Sequence, residues 1–144
     1  IAGTDEDALL RTAIRLHNAY RLPEEMDDRT RMFCQILRDA DKIDILRVNV
    51  ETPMEQIYNV STEALRQSPV SPAVLDAFYE HPADNAVGHA SFVFELCYPE
   101  SLRAVAEQGW LWKLLNFKTE NPDTAKAFAG MKAEMQRWLE EHAK

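Results

Sequence analysis

The segment Arg38-Asp39-Ala40-Asp41-Lys42-Ile43-Asp44 places three carboxylates in a stretch whose neighbours are mostly apolar and helix-forming. At about 100° per residue, Phe33, Ile36, Leu37, Ala40, Ile43 and Val48 project onto one broad arc, and Gln35, Arg38, Asp39 and Lys42 onto the opposite, wettable face. Asp44 falls inside the apolar arc and Asp41 on its edge. An ionised carboxylate in a core is normally paired, hydrogen-bonded or bound to a cation, because leaving it alone costs several kcal/mol (about 3–5 when a partner is removed). Asp41 and Asp44 are therefore the first candidates for a site. For Asp44 the alternative is an i,i+3 ion pair with Arg47, and Asp44→Ala is expected mainly to lower stability, by about 3–5 kcal/mol as for removal of one partner of a buried pair. Asp41 has no equally placed basic neighbour.

Outward from this segment the periodicity is helical throughout, with no alternating strand pattern of useful length. The fold class is all-α, one helical domain over residues 1–144. Thr4, followed by Asp5, Glu6 and Asp7, caps a helix reaching about Tyr20, with Leu9, Ala13, Leu16 and Tyr20 on one stripe. A second helix starts near Asp27 or Asp28 and runs to about Val50, where Glu51-Thr52-Pro53 breaks it. Pro53 starts a short helix to Tyr58, and residues 61–66 make another. Ser71-Pro72 opens a helix over 73–80, ended by His81-Pro82. Residues 88–98 are apolar nearly all round and predict a buried central helix. Pro99 starts a helix through Leu115. The last helix opens at Asn121-Pro122 with Phe128, Met131, Met135, Trp138 and Leu139 on a core-packing face.

The chain has 144 residues and a formal net charge of -8 without a Lys/Arg run, which argues against nucleic acid or an anionic membrane surface as the main partner. No apolar run approaches the length of a membrane span and no signal peptide is evident, so a cytoplasmic location is expected. Cys34 and Cys97 lack metal-ligand spacing and read as two buried thiols. His81 and His89 have no partner at ligand spacing and read as structural. Trp110, Trp112 and Trp138 read as core or interface residues. The chain begins at Ile1 and not at methionine, and residues upstream are expected.

Ala13-Ile14-Arg15-Leu16-His17-Asn18, then Leu22-Pro23, then the run from Ile36 to Leu46 resemble the second half of an HD-domain protein. The similarity covers roughly residues 8–50, and the His-Asn helix resembles a bacterial subgroup. The resemblance implies a helical bundle, here without its N-terminal helices, and a metal-dependent phosphohydrolase acting on a phosphorylated small molecule, a nucleotide among the options. It makes Asp41 a metal ligand. His17, Lys42 and Arg38 become phosphate-contacting residues, Lys42 the better candidate and Arg38 otherwise solvated beside Asp39. Asn18, Asp39 and Asp44 support them, Asn18 by orienting His17 or capping a chain reversal. The implied cofactor is a divalent cation: Mn, Fe, Ni or Zn for a mixed imidazole and carboxylate set, Mg for an oxygen set. In the complete family site the cation polarises a phosphoryl oxygen and activates a water.

The sequence departs from the family at the His-Asp doublet. The four histidines are followed by Asn18, Pro82, Ala90 and Ala143. A helical module that binds a nucleotide or a protein without catalysis is the rival reading, and self-association is left open.

Overall fold

The computed structural model of the chain describes residues 4–19, 21–59, 61–80 and 88–144. All regular structure among them is helical: α1 (Asp5–Leu16), α2 (Asp28–Glu51), α3 (Met54–Tyr58), α4 (Thr62–Gln67), α5 (Pro72–Glu80), a 3₁₀ helix (His89–Glu95), α6 (Pro99–Gln108), α7 (Trp110–Leu115) and α8 (Pro122–His142). No described helix is long and apolar enough to cross a membrane.

Local chemistry sets most boundaries. Thr4 and Asp7 form a reciprocal capping box at α1, the Asp7 N–H donating to Thr4 Oγ1 (3.3 Å) and the Thr4 N–H to Asp7 Oδ2 (3.2 Å). α1 stops at Leu16, a turn before the expected Tyr20, which lies outside the described residues. Asp27 caps α2 through the Thr30 N–H (2.9 Å), a bond that also holds its carboxyl below the usual range. Ser61 caps α4, and Asn121 caps α8 by accepting from Asp123 and Thr124. The expected stop at His81-Pro82 lies outside the described residues.

Two expected helices take another form. The helix expected from Pro99 to Leu115 is divided at Gly109, whose φ of +74° ends α6 and whose N–H returns to Val105 O. Only glycine adopts that left-handed conformation without steric cost. The apolar run after Gly88 is a 3₁₀ helix, not a buried α-helix. Its three-residue repeat stacks i and i+3, so Val93 and Leu96 enter the core while Phe92 and Glu95 share a different side.

The core joins Leu46 of α2 to Phe78 of α5, Val93 and Leu96 around the 3₁₀ helix, Leu102 and Val105 of α6, Leu111 and Leu115 of α7, and Met131, Met135 and Leu139 of α8. Burying each such side chain contributes about 1.5–3 kcal/mol. Phe94 meets Phe78 and Trp138 edge-on, both at 5.3 Å between ring centroids. The stripe on α8 therefore faces the core, and Trp110, Trp112 and Trp138 are partly buried against that core.

α2 is the axial element, and the arc drawn on it from periodicity does not describe its packing. It contacts α1 and also α6, α7 and the 3₁₀ helix. With partners on more than one side, hydrophobicity alone does not define an inside: Ile36 and Val48 of the apolar arc are 49% and 37% exposed, while Asp39 of the wettable face is 2% exposed. Cys34 is buried but Cys97 is exposed, which corrects the expectation of two buried thiols.

Candidate functional site

The α1–α2 hairpin brings the two halves of the His-Asn and Asp-Lys pattern together. Leu9 and Ala13 of α1 are buried, and Arg38 of α2 donates to the carbonyls of Leu16 (3.5 Å) and Ala19. These are carbonyls at and just beyond the end of α1, where backbone acceptors lack partners in the helix. Arg38 is thus part-buried and bonded to the backbone, not solvated beside Asp39 as expected; the reason is that the chain reversal after α1 places the Leu16 and Ala19 carbonyls next to it.

Beside this clasp lies a cavity of about 250 Å³ lined by His17, Asn18, Ala19, Arg38, Asp41, Lys42, Ile45, Phe92 and Glu95. Five of the residues singled out from the sequence, His17, Asn18, Arg38, Asp41 and Lys42, meet there. Asp41 is half-buried and has no hydrogen-bond or ion-pair partner among the described residues. His17 Nδ1 lies 2.7 Å from Ile14 O. A carbonyl only accepts, so Nδ1 carries the proton and a neutral His17 keeps its lone pair on Nε2.

The opposite wall comes from the 3₁₀ helix. Lys42 pairs with Glu95, their side chains 12% and 24% exposed. Glu95 and Phe92 were not recognised in the sequence. Their only signal is the spacing His89-x-x-Phe92-x-x-Glu95, which acquires meaning once the segment is 3₁₀.

Asp39 and Asp44 exchange the places expected of them. The Asp39 carboxylate accepts the Cys97 N–H at 3.1 Å (Oδ1) and 3.0 Å (Oδ2), and the Tyr98 N–H at 3.2 Å (Oδ2). Pro99, the first residue of α6, has no N–H, so Asp39 receives the donors just before it at the positive end of that helix. The Cys97 thiol is pushed up by desolvation, with Asp39 adding to it. Asp44, by contrast, is exposed and bonded by Arg47 at 2.8 and 3.2 Å, which holds its carboxyl below the usual range. Arg47 also pairs with Glu51. The local ion pair on an outward face is therefore the correct account of Asp44, and its expected burial is withdrawn.

One turn beyond Ile45, the buried Asn49 donates through Nδ2 to Ile45 O (2.8 Å), which leaves Oδ1 to His89 Nδ1 at 2.7 Å. His89 is therefore the donor in that pair, and burial lowers its pKa.

A cation in this cavity needs several oxygen or nitrogen donors that converge on one point. Asp41 and His17 are available; Glu95 is occupied by Lys42. Among the described residues no group of three or more His, Cys, Asp or Glu side chains is placed to hold a metal ion. These residues fit part of a ligand set and not a whole one. No family model, no curated protein and no solved structure matches the chain.

Proposed function

We propose that the chain forms part of an HD-type, metal-dependent hydrolase of a phosphorylated small molecule, with a nucleotide as the substrate class to test first. The observation that carries this reading is Asp41, a half-buried carboxylate without a partner among the described residues, lining a cavity shared with His17, Asn18, Arg38 and Lys42. Burial of an unpaired carboxylate is costly unless something cationic offsets it. In this reading Asp41 contributes one ligand, and the ligands that would complete the set come from outside the described residues. His17 offers Nε2 to the phosphate or to the cation. Lys42 neutralises phosphate charge once it leaves Glu95, and Arg38 holds the α1 end in place.

A second reading, a helical module that binds a nucleotide without cleaving it, is favoured by the Lys42–Glu95 pair and by the incomplete donor set. Metal content of the purified natural protein separates the two. A transition metal near one equivalent that disappears in Asp41→Ala supports the hydrolase. Absence of metal, together with no cleavage of nucleotides or generic phosphoesters after loading with Mn or Fe, removes the hydrolase and leaves the module.

A further inference from the structure

A second cavity, of about 430 Å³, lies where the end of α2 meets α3, α4, α7 and the segment after α7. We infer that it binds an organic phosphate, its anionic group held by Arg66, Lys113 and Lys118 and its apolar part by Phe117 and Leu114.

The charge pattern is the first reason. The chain carries a formal net charge of -8, with 16 Lys and Arg against 24 Asp and Glu. Yet this cavity is lined by three cations and one carboxylate, Glu55. Glu55 is already engaged by Thr62, through both the backbone N–H (3.2 Å) and the hydroxyl, and these bonds hold its carboxyl below the usual range. Both bonds go to Oε1, and Arg66 also acts on this carboxylate, so one acid offsets part of the charge of three cations and the lining keeps a net positive charge. Convergent cations lining a concave site attract an anion, and a phosphate accepts several charge-assisted bonds at once.

The second reason is that the cavity is assembled by long-range bonds. The carbonyl of Arg66 accepts the Glu120 N–H at 2.9 Å and the Thr119 hydroxyl at 2.6 Å. These bonds tie α4 to the segment after α7 and so bring Arg66 beside Lys118. Lys113 is steadied over the Trp110 ring, 4.0 Å from its centroid. Phe117 and Leu114 supply the apolar wall, which inorganic phosphate would leave unused. The volume lies within the range of about 300–1,000 Å³ usual for small-molecule sites. The cavity is separate from the one beside Asp41, and the inference does not depend on the hydrolase reading.

The test is a titration of the protein with phenyl phosphate and, separately, inorganic phosphate, followed by backbone amide shifts at low salt. Saturable shifts confined to the end of α2 and the following turn (residues 49–53), α3, α4 and residues 113–118 are expected, with phenyl phosphate the tighter ligand. Arg66→Gln with Lys118→Gln is expected to weaken phenyl phosphate by about tenfold or more, as loss of charge-assisted bonds requires. Both side chains are exposed, and an unchanged melting curve checks the fold of this double variant. Arg103→Gln, which removes an exposed cation of α6 that lines neither cavity, is expected to leave the affinity unchanged. Absence of saturation at millimolar ligand, equal affinity for the two phosphates, an unaffected double variant, or loss of binding in Arg103→Gln would each overturn the inference.

Discussion

The Asp39 carboxylate holds the backbone N–H of Cys97, 58 residues farther along the chain, and Asp39 is 2% exposed. It thereby fixes the junction between the 3₁₀ helix and α6, two residues from Glu95 on the wall of the Asp41 cavity. Asp39→Ala leaves the part-buried N–H donors of Cys97 and Tyr98 without their acceptor, and a loss of about 1–3 kcal/mol is expected. Asp39→Asn, which keeps one acceptor oxygen, is expected to lose less. Denaturant unfolding of the two variants measures both. Equal stability of Asp39→Ala and the parent would remove Asp39 from this role.

Asp44 gives the contrasting result. Its side chain is 57% exposed and that of Arg47 42% exposed, and ion pairs in such settings contribute little because water screens them and two long side chains lose freedom. Asp44→Ala is expected to melt with the parent protein, within experimental error. A clear drop in melting temperature would mean that Asp44 is buried after all.

Lys42 and Glu95 are a more enclosed pair. Glu95→Gln leaves the Lys42 ammonium facing a neutral partner in a poorly solvated place, and a loss of about 1–3 kcal/mol is expected. Lys42→Met combined with Glu95→Leu removes both charges and is expected to recover much of that loss. A double-mutant cycle reads the coupling. Additive single effects would show that the pair contributes no net interaction.

The pH dependence of stability should carry a contribution from His89. Its pKa is lowered from the ordinary 6.5 by burial, so below that pH the unfolded chain takes up a proton that the folded chain resists. Stability from this group is wholly present above about pH 6.5 and is lost as the pH falls through the folded value. His89→Gln is expected to flatten the slope of melting temperature between pH 7 and 5.5. The same slope in both proteins would assign it to other groups.

The helical class and most helix boundaries are legible in the amino-acid order, because these depend on neighbours within one turn: Thr4 with Asp7, Asp27 with Thr30, Ser61, and Asn121 before Pro122. The core stripe on α8 was legible for a related reason, since one helix packed on one side shows its inward face as a 3.6-residue repeat. His17, Asn18, Arg38, Asp41 and Lys42 were legible as candidates, and their meeting around one cavity required the α1–α2 hairpin. Packing between distant elements sets which carboxylate of Asp39, Asp41 and Asp44 lies inside, which cation closes the end of α1, and that Glu95 stands opposite Lys42. This follows because α2 is packed on more than one side, so the burial of each side chain is set by partners far along the chain, 63 residues away in the bond between Gln35 and Tyr98. Gly109 and the 3₁₀ helix follow the same rule: a glycine permits a left-handed turn and an apolar run permits burial, but the surrounding core decides where each is used.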